Sequence, residues 1–382
     1  MSGARLVEGG SGTAGGGPGA AGAATARYRI AVIAGDGIGQ EVVPAAIECL
    51  DVVAERHDIV FDWHQLDWGS DYYRSHGRMM PVDGLDRLAE HDAIFLGAVG
   101  VPDIPDVETL WGLLIPIRRR FEQYVNLRPV RSLPGVSSPL AGTEPVDIVI
   151  VRENNEGEYS EVGGRLYRGT EDEVAIQESI FTKRGITRVA RYAARLAADR
   201  RAAGHAGRLT SATKSNGIVH TMPFWDEVVR GVLAGFPDVT TDSELIDALA
   251  ASLVLRPHRY DVIVASNLFG DILSDLAGAI TGSIGCAPSA NLNPDGRHPS
   301  MFEPVHGSAP DIAGQGIANP IGQIWSGALM LDALGHPDAA TDLVAAFEAA
   351  LAGGARTRDI GGSASTAEVA AAVRAHLETT AA

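Results

Sequence analysis

The sequence predicts an α/β protein with a largely parallel sheet, built as two domains or as one large domain with an inserted lobe, and three observations carry that expectation. Short β-rich runs alternate with apolar stretches at helical spacing, the pattern of strands joined by helices. The chain has 382 residues, beyond the size at which one hydrophobic core usually stops growing. Its composition, 45% hydrophobic and 21% charged, is that of an ordinary soluble globular protein.

Taken in order, residues 1–26 are dominated by Gly, Ala, Ser and Thr. Such a segment buries too little apolar surface to offset its ordering entropy, and is expected to be a disordered extension. It lacks the basic flank and apolar stretch of a secretory signal. Structure is expected to begin with the strand YRIAVI at 28–33, ending at Gly35, followed by a helix over 38–56 with Val42, Val43, Ala46 and Leu50 on one face. Further strands are predicted at 92–99, 146–151, 174–181 and 261–265. Helical periods fall at 187–203, 220–234, 268–280, 324–334, 339–351 and 366–379. The Pro- and Gly-rich stretch 129–145 reads as a connection between lobes, and no internal repeat is visible.

The net charge of −17 argues against nucleic acid or an anionic membrane as partner, while leaving room for a small anionic substrate bound by clustered cations. No apolar run approaches the roughly 20 residues that span a bilayer. Two cysteines, Cys49 and Cys286, form no disulfide framework, so a reducing cytoplasm is expected.

Four motifs carry chemistry. GDGIG at 35–39 follows a strand and opens a helix, but its glycine spacing departs from the dinucleotide-binding fingerprint, so a tight turn is the preferred reading. In NLFGDILSD at 267–275, Asp271 and Asp275 lie four apart on one helical face, and paired carboxylates of this kind suit Mg²⁺ or Mn²⁺. On the pair alone, acids in a first turn that merely complement the helix dipole are the preferred alternative. Asp247, ahead of a helical run at 248–255, is a candidate third carboxylate. Among the arginines, Arg118, Arg128 and Arg152 suit a di- or tricarboxylic substrate through bidentate pairing, whereas Arg119 and Arg120 read as a solvated face. The stretch EPVHGSAPDI at 303–312 is by itself an ordinary small-residue loop with His306 as a structural histidine, but Asp311 in it can bind both ribose hydroxyls of NAD and would repel the 2′-phosphate of NADP.

Together these motifs, with NLRPVR at 126–131, resemble the isocitrate and 3-isopropylmalate dehydrogenase family of β-decarboxylating dehydrogenases, from Arg27 to the chain end. Within it, residues 106–131 and 211–217 look most like the members acting on tartrate and D-malate. The resemblance implies a two-lobed fold that is not a standard Rossmann fold. Its large cofactor-binding lobe comes from 27–123 and 282–382, and its small lobe, with substrate, metal and dimer contacts, from 124–281. It implies a homodimer with shared active sites. Asp271 and Asp275 would hold Mg²⁺ or Mn²⁺ with Asp247 of the partner subunit, which also contacts substrate. Arg118, Arg128 and Arg152 would bind the departing carboxylate, Lys214 would take the hydroxyl proton, and Tyr159 would protonate the enol. His306, Gly307, Ser308, Ala309, Asp311, Ile312 and Asn319 would contact the cofactor, expected to be NAD; a K⁺ requirement stays open.

The implied reaction is oxidative decarboxylation of a 2-hydroxy diacid. The run LWGLLIPI at 110–117 lies where the family contacts the distal part of its substrate; Gly112 and Leu114 do not suit isocitrate, and bulky Trp111 and Ile115 can fill the space beside a smaller diacid. The order of preference is D-malate, then tartrate, then 3-isopropylmalate. Asn155 departs from the threonine usual in the tartrate and D-malate group. Two other classes stay open: a metal-dependent phosphoryl-transfer or hydrolytic enzyme, which lacks a supporting GxxxxGK[ST] loop, and a non-catalytic carboxylate-binding relative.

Overall fold

A computed structural model describes residues 25–142 and 144–379; of the disordered extension expected over 1–26, residues 1–24 lie outside them, and Ala26 is already the first residue of a strand. Twelve strands follow in chain order: β1 (Ala26–Gly35), β2 (Ile59–Gln65), β3 (Ala93–Ala98), β4 (Val125–Arg131), β5 (Asp147–Glu153) and β6 (Gly163–Leu166). After them come β7 (Val174–Gln177), β8 (Arg208–Thr213), β9 (Thr240–Leu245), β10 (Val262–Ala265), β11 (Pro288–Leu292) and β12 (Ser300–Pro304). Helices connect most of them, so the α/β class expected from the alternation is what the chain forms.

The chain divides into two compact units. The first comprises the described part of Met1–Gln123 with Ser132–Ala141 and Gly278–Ala382. Its strands run in the order β2-β1-β3-β12-β11, parallel except for the antiparallel pair β11–β12. Every residue of β3 is buried, as a strand covered by helices on both faces requires. The helix Ile321–Ala333 is buried on all sides from Ile321 to Leu331, which marks it as the central helix of this unit. A core of Ile33, Trp68, Met79, Ile94, Leu113, Ile117 and Phe121 packs the run before Arg118 onto the sheet.

The second unit comprises Tyr124–Arg131 and Gly142–Ala277. Its strand order is β4-β5-β10-β8-β9, with β4 antiparallel to β5 and the rest parallel. The helix Lys183–Ala202 is anchored to this sheet by a buried ion pair, Arg200 Nε to Asp261 Oδ1 at 2.5 Å. It begins four residues before the periodicity suggests, because Thr182 caps it by accepting the Gly185 amide at 2.9 Å.

Other departures have local causes. Pro129, expected in a connection, sits inside β4 opposite Val149. The strand expected over 174–181 is only Val174–Gln177, and it pairs with β6 as an exposed hairpin outside the main sheet order. Strand β8 escapes an apolar-pattern search because its buried positions include Thr210, Ser211 and Thr213.

Candidate active site

In the second unit, the C-terminal end of β5 and the helix Asn267–Ile280 bring four of the expected residues together. Arg152, 2% exposed, is the penultimate residue of β5. Its Nε and Nη2 donate to Asn267 Oδ1 at 3.0 and 2.7 Å, and its Nη1 donates to Asp271 Oδ1. Arg128 reaches the same carboxylate from β4, its Nη1 lying 3.0 Å from Asp271 Oδ1 and 2.6 Å from Ser274 Oγ. The other oxygen, Asp271 Oδ2, accepts the Tyr159 hydroxyl at 3.0 Å. The Arg152 guanidinium also lies 5.6 Å from the centre of the Tyr159 ring. Gly270 permits this packing: a Cβ there would fall 2.6 Å from Arg152 Cβ.

The helix starts at Asn267, so Asp271 stands beyond its first turn and complementing the dipole does not account for it. The helix start is served instead by Glu158, whose carboxylate accepts the Leu268 amide at 3.0 Å and the Ser266 hydroxyl at 2.8 Å. Burial pushes the Asp275 carboxyl up, Arg128 opposes that, and Asp271 adds to it. Arg128 Nη1 is 3.7 Å from Asp275 Oδ1 as well as 3.0 Å from Asp271, so the gap between the two carboxylates already takes positive charge. Two hard oxygen donors one turn apart, accommodating a cation between them, fit a divalent ion of the Mg²⁺ or Mn²⁺ type.

Lys214 and Asp247 form a second group in this unit, with Nζ 2.6 Å from Oδ1. That bond is the first cause holding the Asp247 carboxyl below its usual range. Among the described residues, no three His, Cys, Asp or Glu side chains stand together as a metal site; within one chain Asp247 is Lys214's partner.

The last position of β5 holds a residue that the sequence reading passed over. Glu153 is fully buried, and its carboxylate accepts the Asn155 amide at 3.1 Å and the Glu156 amide at 2.9 Å. Burial, with Glu156 adding to it, pushes its carboxyl up to about 7 against those amides and Arg188. Only the fold supplies this signal, since Glu153 is one of several acids in a polar stretch.

In the first unit, Arg118 pairs with buried Glu303 at 2.8 Å, and Glu303 also accepts Asn291 Nδ2 at 2.7 Å. Residues Leu110–Leu114 form a π-helical turn, a form often found at functional sites. Arg119 departs from the solvated-face reading: half-buried, it lies over the Trp111 ring at 5.0 Å. Arg120 keeps that reading, exposed and 3.6 Å from Asp86.

The glycine loop after β1 is a tight turn, and it braces the 306–319 stretch. Asp36 accepts Ser70 N at 2.9 Å, Ser70 Oγ at 2.6 Å and Gly100 N at 2.8 Å. Ile38 N donates to Ser308 O at 2.8 Å, and a Cβ on Gly37 (φ +54°) would fall 2.0 Å from that oxygen. Ala309 has a positive φ of 41°, a strained conformation for a residue with a Cβ. Ile312 packs beside Ile38, Val42 and Ala318. Asp311 is exposed, and a Cβ on Gly307 would meet nothing within 4 Å, so backbone and carboxylate are both open to an approaching ligand. His306 Nδ1 lies 2.9 Å from Gly307 O, while its Nε2 is shielded from solvent and without a protein partner. Burial lowers its pKa, so the neutral ring is favoured. Asn319 donates to Asp359 Oδ2 at 2.9 Å. The braced loop, open on one side, is a suitable rest for a nucleotide cofactor.

A family model described as isocitrate/isopropylmalate dehydrogenase matches residues 29–373. The chain is 54% identical over 345 residues to a probable tartrate dehydrogenase/decarboxylase of Bacillus subtilis (strain 168), covering 90% of this chain and 96% of that protein. It is also 54% identical over 354 residues to the D-malate dehydrogenase [decarboxylating] of Escherichia coli (strain K12), covering 90% and 97%. The crystal structure of isocitrate dehydrogenase from Methylococcus capsulatus superposes with a TM-score of 0.83 at 32% identity, covering 92% of this chain and 99% of that one. The chain belongs to the isocitrate/isopropylmalate dehydrogenase family.

Proposed function

We propose that this enzyme, a decarboxylating dehydrogenase of its family, converts D-malate to pyruvate and CO₂, with tartrate as its second substrate and 3-isopropylmalate third. The observation that carries the reading is Asp271, ringed by Arg128, Arg152 and Tyr159, with Asp275 one turn on. The names of the two relatives at 54% identity, one acting on tartrate and one on D-malate, support these two substrates ahead of 3-isopropylmalate.

In this reading Asp271 and Asp275 hold Mg²⁺ or Mn²⁺ with Asp247 of the partner subunit, and NAD rests on His306, Gly307, Ser308, Ala309, Asp311, Ile312 and Asn319. When bound, the metal supplies Lewis acidity at the hydroxyl and carbonyl oxygens, and NAD supplies the hydride acceptor. Arg118, Arg128 and Arg152 bind and orient the carboxylate that departs, their guanidinium forks matching its geometry. Lys214 accepts the hydroxyl proton and Tyr159 returns a proton to the enol carbon. The Lys214–Asp247 pair stays together on one subunit, so both reach the shared site from the partner. The exposed hairpin β6–β7 supports a homodimer: an isolated two-stranded ribbon is marginal in water, and Leu166, Tyr167 and Ile176 stand exposed on it. Two buried free cysteines support a cytoplasmic location. No helix among the described residues is long and apolar enough to cross a membrane.

The first experiment measures NADH formation with Mn²⁺ and NAD, comparing D-malate, L-malate, tartrate, isocitrate and 3-isopropylmalate. D-malate or tartrate should be preferred, and a chelator should abolish turnover. Preference for 3-isopropylmalate would overturn the reading of 110–117 alone. No NADH or NADPH with any of them would promote a non-catalytic relative. Lys214→Met should lose roughly 10²–10⁴-fold in turnover, the usual worth of a general base; near-normal turnover would remove Lys214 from the chemistry.

A further inference from the structure

We infer that Asn267 is the positioning residue for Arg152, a neutral amide that fixes the guanidinium by its Nε/Nη2 edge without neutralising it. The inference rests on the proposed function only in taking Arg152 as a carboxylate contact. Asn267 Oδ1 accepts from both Nε and Nη2, at 3.0 and 2.7 Å. Its amide cannot turn over, because Nδ2 donates to the Glu156 carbonyl at 3.0 Å. The oxygen is therefore obliged to face Arg152, which is aimed along its Nη1 toward Asp271 Oδ1. Asn267 is 4% exposed and Arg152 2%, so the pair is set in a dry wall rather than at a mobile surface.

The identity of the residue matters more than its size. An aspartate would accept the same two bonds, but its charge would add to that of Asp271 on the same guanidinium, in a place where water cannot screen it. A carboxylate substrate would then approach an arginine already held between two carboxylates, and be repelled. Alanine would keep the charge and lose the aim. Both the strand-end loop and the helix start are bound to this one amide, so it also sets the distance between Arg152 and the Asp271 carboxylate.

The test is Asn267→Asp, with calorimetric titration of D-malate in the presence of Mn²⁺ and without NAD, beside thermal unfolding. An acid at the first helical position is favoured by the dipole and gains an ion pair, which offsets its repulsion from the Glu156 carbonyl and from the Glu158 carboxylate at the same helix start. Tm should thus stay within about 4 °C of the wild type. The dissociation constant for D-malate should nevertheless rise roughly tenfold or more, as when a charge-assisted contact is weakened. A purely structural asparagine predicts the reverse, unchanged affinity in a folded variant, and that result would overturn the inference. Asn267→Ala should lower kcat as well as affinity, since the cation remains but is no longer aimed; wild-type kcat in Asn267→Ala would also overturn it. A wild type that binds D-malate tightly but makes no NADH sinks the dehydrogenase reading and leaves the comparison of variants intact. A wild type that binds none of the diacids overturns both.

Discussion

At the scale of single residues, Glu153 is the group whose chemistry most exceeds what its neighbours in sequence suggest. Its carboxyl keeps a proton up to about pH 7 in the folded chain, whereas its ordinary value is 4.5. The sign follows directly. Between those two values the native state binds the proton more tightly than the unfolded chain, so the group's contribution to stability falls as pH rises through that window. The penalty is absent below about pH 4.5 and complete above about 7. Glu153→Gln keeps an oxygen for the Asn155 and Glu156 amides and removes the ionisation. It should therefore stabilise the protein at pH 9 by about 3 kcal/mol and leave it nearly unchanged at pH 4. Denaturant unfolding at the two pH values checks this, and equal effects at both would mean that Glu153 does not titrate in this window.

At the scale of elements, the site depends on how closely the helix Asn267–Ile280 approaches β5. Gly270→Ala would drive a Cβ to 2.6 Å from Arg152 Cβ. It should cost about 1–3 kcal/mol through overpacking and displace Arg152 from Asp271; urea unfolding and KM for the diacid would both register it, and a silent substitution would show that the helix can retreat. The same contact explains what the sequence does and does not disclose. Asp271 and Asp275 are visible in NLFGDILSD because a four-residue spacing places them on one face, and Arg152 is visible because it ends an apolar run. Their partners are not. Glu158 caps the helix from a loop more than 100 residues earlier, and Asn267 reads as one more polar residue until Arg152 lies against it. In the same way β8 hides behind its buried threonines and serine, and Arg119 reads as solvated until the π-helical turn brings Trp111 beneath it. Spacing reports what one element contributes; contacts between distant segments need the fold.

At the scale of the whole molecule, the proposed homodimer makes its own prediction. Leu166 and Ile176 are 56% and 48% exposed on the β6–β7 hairpin. Leu166→Glu combined with Ile176→Glu should convert the dimer to monomer in sedimentation and abolish turnover, since Lys214 and Asp247 would no longer reach a neighbouring site. A monomeric but fully active variant would end the shared-site reading.

The placement of β12 beside β3 bears on how the protein is made. Ala93 pairs with Ser300, so the first unit's sheet joins strands about 200 residues apart in the chain. On a ribosome adding roughly 5–20 residues per second, β3 waits on the order of 10–40 s for its neighbour to emerge. All six of its residues are destined for the interior, and one edge stays bare for that interval. The segment between, which contains all the strands of the second unit, finishes emerging first. The first unit's sheet therefore closes last, and its apolar β3 edge is open to unwanted pairing until it does.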